Sequence, residues 1–160
     1  MRKRSYKPLL QEKEYERHPE VSPNGQWMAY TSNQEGEYEV YIKPFPEVGK
    51  ALQKVSTDGG HSPLWSPEGD RLFYRNKNAV MVVPVKTEPD LKIDSPKVLF
   101  QKPYSYDLGS VGNTWDIHPD GDRFLMMKRV EDDKASTKSL RKINIILNWF
   151  EELKEKVPVQ

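Results

Sequence analysis

The sequence contains no cysteine, which excludes several kinds of site. Without a thiol among its 160 residues, the chain cannot form a disulfide, a thiolate nucleophile or a zinc–thiolate centre. The absence of cysteine does not by itself indicate a cellular compartment.

The chain also lacks long apolar segments and an excess of charge of either sign. Apolar residues make up 36%, and no run reaches the roughly 18 residues of a membrane span, so we expect none. The basic start at residues 1–4 is not followed by an apolar segment, which argues against a secretory signal. The 25 basic and 24 acidic side chains nearly cancel, so we expect no nucleic-acid or membrane partner. The compartment stays unknown, with the cytoplasm as the default.

One short motif occurs three times in the sequence. Each copy has an apolar residue, Ser or His, Pro, an acidic or amide residue, and Gly, at residues 21–25, 65–69 and 117–121. Pro presets the backbone at the second position of a tight turn, and Gly accepts the positive φ angle that closes it. A short alternating apolar run follows each Gly. The pattern therefore predicts strand, turn and strand three times.

The spacing of the motif predicts an all-β fold, a β-propeller. Gly69 follows Gly25 by 44 residues, and Gly121 follows Gly69 by 52, a period typical of four-stranded blades. We predict three four-stranded blades in a single half-propeller domain over residues 1–160. The blades are predicted at about residues 17–57, 60–102 and 113–150. We also expect a hairpin loop at residues 130–141 and a short C-terminal helix from Asn148, stopped by Pro158.

The third unit has no outer strand of its own. Residues 6–11 have the pattern of the outer strand predicted at residues 96–101, so we expect them to complete the third blade. The sequence leaves open whether this strand closes the blade of its own chain or that of a second chain.

The repeat resembles that of TolB-type β-propellers. Blades of that family carry a W-S-P-D-G turn, then strands of the I-A-F/Y-x-S and I-Y-V kinds, to which residues 65–69, 27–32 and 38–42 are similar. The third unit departs from the pattern because His118 replaces Ser. Residues 145–153 are similar to the end of propellers attached to bacterial serine/threonine kinase-like and sensor proteins. The resemblance implies a ring of six blades and a binding or scaffold role.

Three blades are too few for a ring, since propellers have about four to eight. An open half-ring would expose the apolar faces of its end blades, so we expect either a homodimer with six blades or a longer parent chain. We favour the homodimer if these residues are the whole protein, with the N-terminal strand completing the third blade of the other subunit.

The residues before each turn are expected to form the innermost strands, which line the central channel. Six of them are candidate ligand-binding residues: Arg17, His18, His61, Asn113, Trp115 and Asp116. They could hold a small polar ligand or a peptide, or bond only to neighbouring backbone and channel water. We predict a peptide or partner protein at the channel mouth. The alternative is a small polar ligand or sugar, or a propeller hydrolase or lyase, using the funnel.

We predict no catalytic residue, no metal and no cofactor. Two histidines and an acid lie near the expected axis, but no tight metal-ligand spacing such as His-Glu-x-x-His supports a metal site. Ser22, Ser62 and Ser66 lie near histidines in the sequence, but none occupies a Gly-x-Ser-x-Gly elbow. We therefore interpret the protein as a binding module and not as an enzyme.

Overall fold

The computed structural model of this chain describes residues 8–10, 13–49, 52–104, 112–129 and 141–146, the last range by its backbone. The strands in these ranges are all antiparallel and form three sheets. No helix occurs among the described residues, and so none there is long and apolar enough to cross a membrane. Over these residues the prediction of an all-β fold is confirmed.

The first sheet is a meander in chain order. Its strands are β1 (Glu16–Val21), β2 (Trp27–Ser32), β3 (Glu39–Pro44) and β4 (Gln53–Lys54). The outer strand β4 has only two residues, whereas the other three strands of this sheet have six each. One reason is that the Ser56 hydroxyl, not a backbone carbonyl, accepts the Val40 N–H at 2.7 Å, which replaces a bond of the ladder.

The second sheet has one strand more than predicted. It consists of β5 (His61–Trp65), β6 (Arg71–Asn76), β7 (Ala79–Lys86), β8 (Lys92–Ile93) and β9 (Lys97–Gln101). The predicted outer strand β9 pairs with residues 79–82 of β7, and β8 pairs with its far end at residues 85–86. The eight residues of β7 thus give an outer edge long enough for two partners.

The third sheet contains β10 (Trp115–Ile117), β11 (Phe124–Arg129) and β12 (Arg141–Ile146). The predicted loop at 130–141 lies outside the described residues except for Arg141, which begins β12, and the predicted C-terminal helix lies outside them altogether. Of the predicted N-terminal strand, residues 8–10 are described, and they are irregular. The blade boundaries and the closure of a ring stay predictions.

The three repeated turns have the same geometry. In each, the Gly N–H donates to the carbonyl three residues earlier, at 2.8 or 2.9 Å, and the φ angles of Gly25, Gly69 and Gly121 are 71°, 73° and 77°. The residue before Pro donates its N–H to the carbonyl five residues later, which closes the hairpin. His118 takes the place of Ser in the third turn, where its Nδ1 accepts the Asp120 N–H at 3.2 Å.

The sheets pack face to face through two apolar clusters. Alternate residues of β6 point in opposite directions, so one sheet contributes to both clusters. The cluster between the first and second sheets contains Ala29, Val40, Ile42, Val55, Trp65, Leu72, Tyr74, Val83, Val85 and Leu91. The cluster between the second and third sheets contains Leu64, Phe73, Val80, Phe100, Trp115, Phe124 and Met126.

The outer faces of the two end sheets differ. On the first sheet, the outward side chains are buried, with partly buried residues packed over them: Met28, Tyr30 and Tyr41 beneath Leu10, Phe45 and Val48. On the third sheet, Leu125 points away from the core and is 39% exposed. The N-terminal segment thus contacts the first sheet through Leu10.

Gly60 allows a close approach that a larger residue would prevent. A Cβ atom there would lie 2.8 Å from the Ser56 Cβ and 2.9 Å from Tyr74 Cδ2. We expect Gly60→Ala to lower the free energy of unfolding by about 1–3 kcal/mol in urea titrations. Gly49→Ala is the control, because a Cβ at Gly49 meets no atom within 4 Å. Equal stability of the two variants would contradict the packing described.

Candidate functional site

The innermost strands of the three sheets meet at one cavity. Its volume is about 400 Å³. Glu20, Leu64 and Asp116 line it, and each lies five residues before the Gly of its own turn. The other lining residues are Asn113, Thr114, Trp115, Leu125 and Met127. The repeat thus places one equivalent position from every sheet at this inner cavity.

Two indole hydrogen bonds hold the innermost strands together. Trp65 Nε1–H donates to the Glu20 carbonyl at 3.1 Å, and Trp115 Nε1–H donates to the Ser62 carbonyl at 3.0 Å. Each bond joins the innermost strand of one sheet to that of the sheet before it. Trp115 is also stacked on Phe124, with ring centroids 5.8 Å apart. Trp115 therefore supports the inner cavity from the core as well as lining it.

The polar lining of the inner cavity is acidic. Burial, and secondly the negative charge of Asp116, raise the pKa of the Glu20 carboxyl. Asn113 Nδ2 donates to Glu20 Oε1 at 3.3 Å, and Asp116 Oδ1 accepts the Ile117 N–H at 2.8 Å. Within the part of the chain that the structure describes, neither carboxylate forms an ion pair with a basic side chain. The two carboxylates therefore give the inner cavity a negative potential.

The two candidate histidines lie outside the inner cavity, at bulges of β1 and β5. His18 and Ser62 occupy equivalent places, each before Pro, with φ angles of 52° and 53°. His61 is buried, and its Nδ1 lies 3.1 Å from Ser62 Oγ. Burial, then the charges of Arg75 and His18, lower the pKa of His61 to about 4. Among the described residues, no group of three His, Cys, Asp or Glu side chains is arranged to hold a metal ion.

The six residues predicted for the site thus divide into two groups. Asn113, Trp115 and Asp116 line the inner cavity, whereas Arg17, His18 and His61 do not. The guanidinium of Arg17 instead lies over the rings of Tyr15 and Tyr38, 5.3 and 5.5 Å from their centroids. The bulges between Arg17 and Glu20, and between His61 and Leu64, are the physical reason. A bulge breaks the alternation of side chains along a strand.

Sequence reasoning missed five lining residues: Glu20, Leu64, Thr114, Leu125 and Met127. A signal for the first two was present, because both have the same spacing to Gly as Asp116. Counting back from the turn, and not choosing polar residue types, would have found them.

Comparison with solved structures agrees with the fold. The chain is similar to a protein from Agrobacterium tumefaciens assigned as TolB, with a TM-score of 0.56 and 13% identity over 84% of this chain and 46% of that one. It is also similar to an oligogalacturonate lyase from Vibrio parahaemolyticus, with a TM-score of 0.54 and 16% identity over 82% of this chain and 34% of that one. The predicted β-propeller fold is therefore confirmed.

These likenesses extend to only part of the solved proteins. The chain spans about half the length of the first and about a third of the second. No model of a known protein family matches the sequence, and no curated protein matches it. At identities of 13% and 16% the comparison shows the fold alone.

The buried His61 makes stability depend on pH. In the unfolded chain its pKa is 6.5, whereas in the folded chain it is about 4, so between these values only the unfolded state binds the proton. Stability should therefore fall as the pH drops from 6.5 to 4, by up to about 3 kcal/mol from this residue. We expect His61→Asn to lose less stability than the wild type over this window in urea titrations. Parallel pH curves for the two proteins would show that His61 does not titrate as described.

Proposed function

We propose that this propeller module binds a peptide, or an extended segment of a partner protein, at the inner cavity and carries out no chemistry there. The observation that carries the proposal is the inner cavity itself, to which all three sheets contribute through one equivalent position. Its volume of about 400 Å³ is within the usual range of ligand sites. It combines apolar walls with a small number of polar groups, as recognition sites do.

A binding role fits the described residues better than catalysis does. His61 and Ser62 lie within hydrogen-bond distance, but both are more than 90% buried and outside the inner cavity. A substrate in the inner cavity would not reach them. The low pKa of His61 also makes it a weak general base near neutral pH.

The second candidate, a sugar-binding or lyase activity, is suggested by the fold neighbour that is an oligogalacturonate lyase. Galacturonate units carry carboxylates, and Glu20 and Asp116 would repel them at the inner cavity. Charge complementarity therefore favours the peptide over an acidic sugar.

The peptide proposal is tested by display selection on the immobilised chain. We expect enriched peptides to bind the wild type and Thr57→Trp equally and to bind Thr114→Trp at least about tenfold more weakly, because an indole at 114 fills the inner cavity. Thr57→Trp is the control for Thr114→Trp, because it makes the same exchange at an exposed residue outside the inner cavity. Affinity would be measured by fluorescence anisotropy. If no peptide is selected, or if the peptides bind both variants equally, the proposal that peptides bind at the inner cavity is refuted.

We further propose that two copies of the chain close a six-bladed ring. Leu125, on the outer face of the third sheet beside the inner cavity that it also lines, is exposed and supports this, since an apolar sheet face is stable when another sheet covers it. The half-buried Leu10, Phe45 and Val48 on the first sheet offer an apolar surface to face it.

Light scattering tests the ring. We expect a species of twice the chain mass of 18.7 kDa, reduced to the chain mass by Leu125→Glu, which puts a charge into the contact. Val98→Glu is the control, because Val98 is 59% exposed on the outer strand β9, away from that face. A single species at the chain mass for the wild type would exclude the homodimer.

A further inference from the structure

We propose that the inner cavity recognises a basic side chain, Lys or Arg, of the bound peptide. This inference rests on the proposed function and names the chemistry of its ligand. It assigns the ammonium or guanidinium group to Glu20 and Asp116, and the aliphatic part of the side chain to the apolar walls.

Glu20 and Asp116 place two negative charges at one end of the inner cavity. Glu20 belongs to β1 and Asp116 to β10, and their negative charges are close enough to influence each other. No basic side chain of the described part of the chain pairs with either carboxylate. An external cation would relieve this repulsion, and hydrogen bonds to charged groups are the strong ones.

Each carboxylate also has the capacity to accept further hydrogen bonds. The bonds from Asn113 and from the Ile117 N–H each reach one oxygen atom. A carboxylate has two oxygens with about four lone-pair positions. A guanidinium group, which donates five hydrogen bonds in a planar fork, suits such a pair of acceptors.

The apolar walls select a long basic side chain over a simple ion. Leu64 and Trp115 are buried, and Leu125 and Met127 complete a wall of hydrocarbon, sulfur and aromatic atoms. Lys and Arg bury their aliphatic stems along such surfaces and keep their charged heads at polar groups. A hydrated divalent cation would gain nothing from these walls, and the described residues supply no third carboxylate.

The repeat explains how the acidic and apolar side chains are distributed around the inner cavity. Two of the three equivalent positions are acidic, Glu20 and Asp116, and the third is Leu64. The charges thus come from the first and third sheets, while the second sheet contributes apolar surface between them.

The experiment compares the binding of peptides from the display selection with that of variants in which the charged group of one side chain is replaced. We expect the enriched peptides to share an Arg or Lys, and replacement of Arg by citrulline, which has the same shape without the charge, to weaken binding about tenfold or more. Glu20→Gln and Asp116→Asn should each weaken the binding of the original peptide by a similar factor. Glu37→Gln removes one charge from an exposed loop away from the inner cavity and should leave the affinity unchanged.

A pH series separates direct contact from a structural role. Because the basic side chain binds ionised carboxylates, affinity should rise with pH through and above the ordinary Glu pKa of 4.5, and Glu20→Gln should reduce this rise. A variant that only disturbed the fold would instead weaken binding most at low pH, where protonation of His61 already lowers the stability of the fold.

The outcomes of this experiment and of the selection can be told apart. Two results would overturn this inference and leave the proposed function standing. One is that Thr114→Trp abolishes the binding of enriched peptides that contain no basic residue. The other is that a peptide with citrulline in place of Arg binds as tightly as the original peptide. Competition by micromolar Ca²⁺ would mark a divalent-cation site and would also overturn it. Failure of every peptide to bind would refute both.

Discussion

Two indole hydrogen bonds fix how the three sheets are arranged around their inner strands. Apolar packing holds the sheets together but is not directional. It therefore does not fix how far one innermost strand is shifted along its neighbour. The bonds from Trp65 to the Glu20 carbonyl and from Trp115 to the Ser62 carbonyl do have direction, and each crosses between sheets. Because of them, equivalent positions of the repeat reach the same cavity. The functional proposals depend on that alignment.

Most of the fold could be predicted because local chemistry determines it. Pro and Gly at fixed places specify the turns, and alternating side chains after them specify the strands, so β2, β6 and β11 each begin two or three residues after a turn Gly, as predicted. The strand β8 was missed because its two residues carry no pattern of their own and pair only where β7 extends far enough. Short edge strands depend on tertiary contacts, which a sequence pattern does not contain.

The site could be predicted only in part, and the bulges explain the difference. A residue before Pro normally avoids helical angles, so nothing in the sequence indicated φ angles of 52° at His18 and 53° at Ser62. Beyond those bulges, Arg17 and His61 no longer follow the alternation that relates them to the inner cavity. Asp116 lies after the start of β10, where the alternation holds, and it was found. Glu20 was overlooked although the spacing to the turn includes it.

At two of its three equivalent positions, Glu20 and Asp116, the inner cavity separates folding from recognition, whereas the third, Leu64, also belongs to the core. The residues five positions before the turn glycines contribute side chains to the inner cavity, whereas the turn and the strand after it supply the hairpin geometry and much of the core. An exchange of Glu20 or Asp116 can therefore alter the charge of the lining without changing the residues that specify the hairpin. A repeat built in this way can evolve a new ligand by substitutions at a single register position, one sheet at a time.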